Sequence, residues 1–267
     1  MSVRVARRRR RIVIKAAAGV LGSGLLVLAV LGSEAVVTGR RSYLSADSAP
    51  PVKGSFGNAG PELTLVMVGD STAAGVGASE TAGTVGGRLA AGLAASTHRV
   101  RLSSVAVSGS RAADLDPQVS QVLIDPPEVA VILIGANDAT HTTGLGSVRR
   151  NVADAVRRLR AGGVAVVLGG CPDMGAARAF PQPLRLVVAW QGRRVAAAEL
   201  AVGRDAGAQV VDIGRETGPA MRADASTLAG DDFHPSDRGY RLWAQALLPA
   251  VQVALDQAAS TGEAGHA

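Results

Sequence analysis

The feature that most constrains the fold is an alternation, from residue 62 onward, between short apolar runs and longer helical stretches. Apolar runs separated in this way predict strands buried on both faces, as parallel strands are. The five runs are Leu63–Gly69, Val100–Val107, Val129–Ile134, Val164–Leu168 and Gln209–Ile213. Alternating strands and helices of this length predict a doubly wound α/β domain with a five-stranded parallel sheet.

The helical stretches carry apolar residues at helical spacing, which indicates one buried face on each. The clearest faces are formed by Val148, Val152, Val156 and Leu159, with Gly162 just beyond, and by Tyr240, Trp243, Leu247 and Val251. A further helix is expected over Leu184–Leu200. We therefore expect helices on both faces of the sheet.

The formal net charge of +6 comes from the N-terminus, because residues 1–15 hold seven of the 28 basic residues and no acid. Next to this arm lies an apolar run, Ala16–Val37, whose one ionisable residue is Glu34 and whose length suits a bilayer-crossing helix. A basic arm beside such a run indicates a membrane partner and not a nucleic acid, and it places the following domain outside the cytoplasm.

Two export signals fit this N-terminus. The first is a retained single-pass signal anchor in the cell membrane, which the length of the run favours. The second is a cleaved signal peptide and a secreted domain: Arg10–Lys15 loosely matches a twin-arginine signal, and Ser33-Glu34-Ala35 offers small residues for cleavage.

The remaining organisation follows from composition. Residues 38–61 are rich in Ser, Gly, Pro and Ala, which predicts a flexible linker. The domain is expected over residues 62–257, and residues 258–267 are expected to form a disordered tail. Cys171 is the only cysteine, which excludes an intrachain disulfide, and we interpret it as a small buried residue without a catalytic role.

Functional sites of open α/β sheets lie at the carboxyl ends of the strands. Small or polar residues follow the first three predicted strands, at Gly69-Asp70-Ser71, Ser108-Gly109-Ser110 and Gly135-Ala136-Asn137-Asp138. Ser71 is a candidate nucleophile on a strand-to-helix turn. Because a serine hydroxyl is a weak nucleophile until a base takes its proton, a histidine must lie beside it.

Among the four histidines, His234 is the candidate base, because Asp231 stands three positions earlier on the same loop before the last helix. One loop can then supply both the base and the carboxylate that holds the imidazole tautomer. His98 is expected at a solvated helix end, His141 at the rim of the site and His266 in the tail.

Four blocks resemble, in order and spacing, those of the SGNH (GDSL) hydrolases: Gly69-Asp70-Ser71, Gly109, Gly135-x-Asn137-Asp138 and Asp231-x-x-His234-Pro235. The resemblance covers roughly residues 62–255. It implies a flavodoxin-like, three-layer α/β/α fold. It also implies that Ser71 is the nucleophile, that His234 is the general base and acid, and that Asp231 orients His234. The backbone N–H groups of Ser71 and Gly109 and the side-chain amide of Asn137 would form the oxyanion hole.

Two positions depart from the family's pattern: Thr72 stands where many members have Leu, and Ser104 stands where the second block often has a loop-bracing Asn. Asp70 and Asp138 are interpreted as turn or cap carboxylates. Asp232 is the neighbour most easily confused with Asp231.

Other enzyme signatures are missing from the sequence. No serine lies in a Gly-x-Ser-x-Gly elbow, and Gly69–Gly77 lacks the Gly-Lys-Ser/Thr ending of a phosphate loop. We expect an exported serine esterase that needs no cofactor and no metal. Cys171–Met174 and Gly214-Arg215 are expected to line its substrate pocket. An acyltransferase or a non-catalytic envelope-binding module on the same scaffold remain alternatives.

Overall fold

The computed structural model describes residues 28–95 and 98–264, which fall into two units. In the smaller unit, residues 28–39 are helical (α1), and the N–H of Leu184 donates to Oε2 of Glu34 at 2.9 Å. The predicted basic arm and residues 16–27 of the predicted membrane span lie outside the described residues. Within the described part of the chain, no helix combines the length and the apolar character that crossing a bilayer requires.

The larger unit contains one mixed sheet of six strands. The strands are β1 (Gly54–Phe56), β2 (Glu62–Gly69), β3 (Arg99–Ser104), β4 (Val129–Leu133), β5 (Ala165–Gly169) and β6 (Gln209–Val211). Their order is β1-β3-β2-β4-β5-β6; β2 to β6 are parallel, and β1 pairs with β3 in the antiparallel direction. All five predicted strands are present, in the doubly wound order that reverses at β2.

The prediction of a purely parallel, five-stranded sheet is wrong at this edge. Strand β1 lies within residues 38–61, the segment predicted as a linker, and its three residues are exposed or half-buried. It is held by main-chain hydrogen bonds to β3, which any sequence without proline can form. A strand of this kind leaves no apolar pattern to recognise.

Seven helices follow α1 in the described part of the chain. They are α2 (Val85–Ala94), α3 (Leu115–Val122), α4 (Ala136–Thr140), α5 (Leu145–Ala161), α6 (Leu184–Asp205), α7 (Ile213–Ala223) and α8 (Asp237–Ala264). The predicted apolar faces of α5 and α8 are buried, and Gly162 is the C-cap of α5. Helix α8 continues into the segment 258–267 that was predicted to be disordered, and the chain is helical there as far as Ala264.

Alternate side chains of the strands enter two apolar layers, as the period of a strand requires. Leu65, Met67 and Val131 face α2 and α8, and this layer includes Tyr240, Trp243 and Leu247 of α8. On the other face α3 packs against α5, and Gly203 of α6 lies against Leu168. Helices therefore cover both faces, which leaves the carboxyl ends of the strands for the site.

The central strands end at the same level. Gly69 of β2 pairs with Leu133 of β4, and Leu133 pairs with Gly169 of β5. Gly69 has φ +134°, and a Cβ atom there would overlap the carbonyl oxygen of Leu133. Glycine is therefore required where the chain leaves β2 and begins the turn that carries Ser71.

Candidate active site

The turn after β2 fixes Ser71 close to the sheet. The N–H of Asp70 donates to the carbonyl oxygen of Leu133 at 3.0 Å. Oδ1 of Asp70 accepts the N–H of Thr72 at 2.9 Å and the Thr72 hydroxyl at 2.7 Å. This side-chain turn is the structural role expected for Asp70, and Ser71 lies inside it with 6% of its surface exposed.

The loop before α8 brings His234 and Asp231 to this serine. Nε2 of His234 lies 3.0 Å from Oγ of Ser71, and Nδ1 of His234 lies 2.6 Å from Oδ2 of Asp231. All three residues are buried. The structure thus joins them in one chain of hydrogen bonds across 163 residues of sequence.

Asp231 accepts four hydrogen bonds. Oδ1 accepts the N–H groups of Phe233 and His234, both at 3.0 Å, and Oδ2 accepts the Leu44 N–H at 3.1 Å besides the imidazole. Burial by itself raises the pKa of Asp231, but these donors outweigh it and hold the pKa well below its usual value. The carboxylate is therefore ionised when it faces the imidazole.

The candidate oxyanion donors lie on the neighbouring turns. Gly109 is exposed and has φ +86°, and a Cβ atom there would meet open space. One N–H of the Asn137 amide donates to the Ser110 carbonyl oxygen at 3.0 Å, which leaves its second N–H for another acceptor. Within the described residues, the backbone N–H groups of Ser71 and Gly109 donate to no protein acceptor.

The Gly109 turn is braced by a residue that the sequence analysis missed. Oε1 of Gln118, on α3, accepts the Gly69 N–H at 2.8 Å, and Nε2 donates to the Gly69 carbonyl at 3.0 Å and to Oγ of Ser110 at 3.1 Å. Ser104, at the position where the family often has Asn, instead accepts the Ala106 N–H at 3.1 Å. Gln118 therefore supplies the amide that connects the first two turns.

Three buried carboxyl groups lie behind these turns. Burial raises the pKa of Asp70 from 3.8 to about 6, against the hydrogen bonds from Thr72. Burial likewise raises the pKa of Asp138, whose Oδ2 accepts the Ala112 N–H at 2.9 Å, and raises the pKa of Glu199 well above its usual value. Oε2 of Glu199 accepts the Cys171 N–H at 2.8 Å, while Oε1 has no hydrogen-bond partner among the described residues.

A small cavity of about 30 Å³ adjoins Ser71 and His234. Ser71, Thr72 and His234 form one side of it, and mostly apolar residues form the rest, including Met174, Met221 and Trp243. Pro172, Asp173 and Met174 of the predicted lining contribute, whereas Cys171 and Gly214-Arg215 are not part of this wall. Cys171 is buried, and burial raises the pKa of its thiol well above the usual value.

The serine turn and the histidine loop are held to each other. The Tyr240 hydroxyl donates to the Val76 carbonyl at 2.6 Å, and the Val76 N–H donates to the Ser71 carbonyl at 2.9 Å. Gly77 has φ +94° and lies against His234 and Pro235, where a Cβ atom would overlap the Pro235 carbonyl. These contacts fix the spacing between hydroxyl and imidazole.

A buried serine, histidine and carboxylate in series at the carboxyl end of a parallel sheet define the class of serine hydrolases. Residues 67–242 match the GDSL-like lipase/acylhydrolase family. A GDSL-like esterase of Mycobacterium tuberculosis is 35% identical over 93% of this chain and 85% of the relative.

Solved structures show the same fold. TesA superposes with a TM-score of 0.59 at 21% identity, over 72% of this chain and 99% of that one. A catalytic mutant of an acetylxylan esterase from Geobacillus stearothermophilus gives 0.55 at 19% identity, over 72% and 95%. A lipase/acylhydrolase from Enterococcus faecalis gives 0.55 at 21%, over 70% and 94%. The chain belongs to the GDSL-like lipase/acylhydrolase family and is a serine hydrolase of the esterase type.

Proposed function

We propose that the protein is an exported esterase that hydrolyses esters of short carboxylic acids through an acyl-enzyme on Ser71. The observation that carries the proposal is the continuous hydrogen-bond chain from Ser71 through His234 to Asp231. Nε2 of His234 takes the proton of Ser71 as Oγ attacks the ester carbonyl, and Asp231 stabilises the imidazolium. His234 then gives that proton to the leaving alcohol. A water molecule, activated by the same imidazole, releases the acid and restores Ser71.

Negative charge that develops on the carbonyl oxygen would be stabilised by three donors. These are the N–H groups of Ser71 and Gly109 and the second N–H of Asn137. Preorganised donors of this kind act on the transition state more than on the substrate. The hydrogen bond from Asn137 to Ser110 supports the proposal, because it orients the amide without using both of its protons.

The cavity beside Ser71 supports a short acyl group. At about 30 Å³ the cavity is small, and its walls are mostly apolar. An acetyl methyl group fits such a space, whereas a long chain would need Met174 or Met221 to move. The apolar lining suits the methyl end of the acid.

The location is part of the proposal. The basic residues 1–15 and the apolar run Ala16–Val37 support a membrane anchor, or a cleaved signal, with the catalytic domain on the extracytoplasmic side. Full-length protein should then stay with membranes after a carbonate wash, and protease added from outside should reach the domain. Digestion of the domain only after the cells are lysed would contradict export.

The decisive experiment combines labelling with turnover. A fluorophosphonate probe should label the folded wild-type protein at Ser71 and leave Ser71→Ala unlabelled. Ser103→Ala, which removes an exposed serine hydroxyl of β3, is the matched control and should label normally. A panel of 4-nitrophenyl esters from acetate to octanoate should show the highest kcat/KM at the short end. Labelling at another serine, or no ester hydrolysis by labelled protein, would overturn the proposal.

A further inference from the structure

The segment before β1, residues 42–53, which we call the neck, runs against the catalytic domain. The Tyr43 ring packs edge-on against Phe233 at a centroid distance of 5.1 Å, and Phe233 lines the cavity. The Pro51 carbonyl accepts the Thr81 hydroxyl at 2.9 Å, and Val52 is buried in the core. The neck is thus attached at both of its ends.

One contact of the neck reaches the catalytic chain itself. The Leu44 N–H donates to Oδ2 of Asp231, the same oxygen that faces Nδ1 of His234. The other donors to Asp231 are Phe233 and His234, which belong to the same short loop. In the described part of the chain, Leu44 is therefore the one donor to this carboxylate from outside the loop.

This donor completes the hydrogen bonding of the carboxylate. An ionised carboxylate offers about four lone-pair sites, and each oxygen of Asp231 accepts two hydrogen bonds. A loop that supplied only its own donors would leave Oδ2 able to turn away from the imidazole. The Leu44 N–H binds the second lone pair of Oδ2 and so fixes the orientation of the carboxylate. It also withdraws charge from this oxygen, which faces His234.

We propose that Leu44 is a positioning residue for the esterase reaction, and that the neck is consequently a working part of the active site and not a passive linker. The inference rests on the proposed function of Ser71, His234 and Asp231. It implies that the rate of acyl transfer depends on how the chain N-terminal to the domain is held. A disturbance of the neck would then change turnover without touching the pocket.

The test uses the full chain with a proline in place of the donor. Leu44→Pro removes the N–H, and Ser45→Pro is its matched control, because Ser45 already has φ −82° and its N–H donates to no acceptor among the described residues. Leu44→Ala keeps the N–H and reports the loss of the side chain alone. Each variant is measured for kcat, KM, melting temperature and the pH dependence of kcat/KM.

Leu44→Pro should lower kcat by about 10-fold with little change in KM, a loss of transition-state stabilisation rather than of substrate binding. The acid limb of the kcat/KM profile of Leu44→Pro should move to higher pH. The reason is that Asp231, with one hydrogen-bond donor fewer, attracts the imidazolium of His234 more strongly. Leu44→Ala should keep the wild-type pH profile, and Ser45→Pro should keep both turnover and profile. A purely structural neck would lower the melting temperature of Leu44→Pro and leave its pH profile unchanged.

A measurement on the wild type keeps the inference testable even if Leu44→Pro does not fold. Hydrogen exchange should show the Leu44 amide protected, and the neighbouring Ser45 amide exchanging faster. A Leu44 amide that exchanges at the unprotected rate, or a Leu44→Pro variant indistinguishable from Ser45→Pro, would overturn the role of Leu44. Absence of ester hydrolysis by the wild type would instead overturn the proposed function, so the two failures are distinguishable.

Discussion

Asp70→Asn tests how the protein accommodates a buried carboxyl group next to its candidate nucleophile. Asp70 is 1% exposed, and its Oδ1 accepts two hydrogen bonds, both from Thr72. Burial raises its pKa from 3.8 to about 6, and the neighbouring Asp138 carboxylate adds to the effect. An asparagine keeps an oxygen that can accept both Thr72 donors, but it carries no titrating proton.

The direction in which stability changes with pH follows from this raised pKa. Because the folded pKa of Asp70 exceeds the unfolded one, the native state holds the proton more tightly between about pH 4 and pH 6. Asp70 therefore costs stability as the pH rises through that window. At about 1.4 kcal/mol per pH unit, the cost between about pH 4 and pH 7.5 is about 2–3 kcal/mol. The Asp70→Asn variant has no carboxyl group to ionise at this position, so it does not lose this stability.

The assay is urea unfolding of wild type and Asp70→Asn at about pH 4 and pH 7.5, a range that covers the titration. The stability of the variant relative to wild type should improve by about 2–3 kcal/mol on going to the higher pH. Any fixed cost of burying the amide N–H₂ cancels in this comparison. Asp154→Asn, at an exposed carboxylate of α5, should show almost no change. Equal shifts in both variants, or none in either, would refute an ionisation cost at Asp70.

Three further predictions concern the candidate catalytic groups and the cavity. Asn137→Ala should reduce turnover by about 10²- to 10³-fold with the fold intact, as loss of one oxyanion donor does, and unchanged turnover would remove it from the site. Asp231→Asn should lower turnover by about 10- to 10⁴-fold. Asp232→Asn should change turnover little, because Asp232 has φ +59°, which Asn tolerates. A larger loss of turnover in Asp232→Asn than in Asp231→Asn would mean that Asp231 is not the carboxylate of the triad. Met221→Ala should lose about 2–5 kcal/mol of unfolding free energy and should accept esters with longer acyl chains. The control is Met67→Ala, at a buried methionine away from the cavity. It should lose similar stability with no change in acyl-chain preference.

The relative placement of Ser71, Asn137 and His234 could be expected from the sequence, because it depends on regular rules. Parallel strands present their carboxyl ends along one edge, so polar residues after successive strands meet there. The Asp231-x-x-His234 spacing adds base and carboxylate on one loop. Distances could not be expected, since they depend on contacts such as that of Tyr240 with Val76, whose partners are 164 residues apart.

The neck and β1 lie beyond this kind of reasoning. Their attachments are mostly main-chain groups, such as the Leu44 N–H and the Pro51 carbonyl. Every residue has a carbonyl group and every non-proline residue has an N–H, so a composition rich in Ser, Gly and Pro is equally compatible with a free linker and a docked segment. Only a side chain that must be buried, here Val52, leaves a trace in the sequence.

Gln118 shows a different limit of prediction from sequence. A side-chain amide still braces the turn, but it does not come from the motif position where the family often has it. The family's bracing amide is missing at Ser104, yet a side-chain amide still joins Gly69 to Ser110 from helix α3. A polar residue within a helix is ordinarily read as solvated, so the sequence alone gave Gln118 no special weight. The role of Gln118 becomes visible from its burial. With 3% of its surface exposed, its amide must find hydrogen-bond partners inside the protein, and the Gly69 peptide and the Ser110 hydroxyl provide them. A vacant motif position is therefore weak evidence against the turn it normally braces, because any helix that packs over the turn can supply the missing amide.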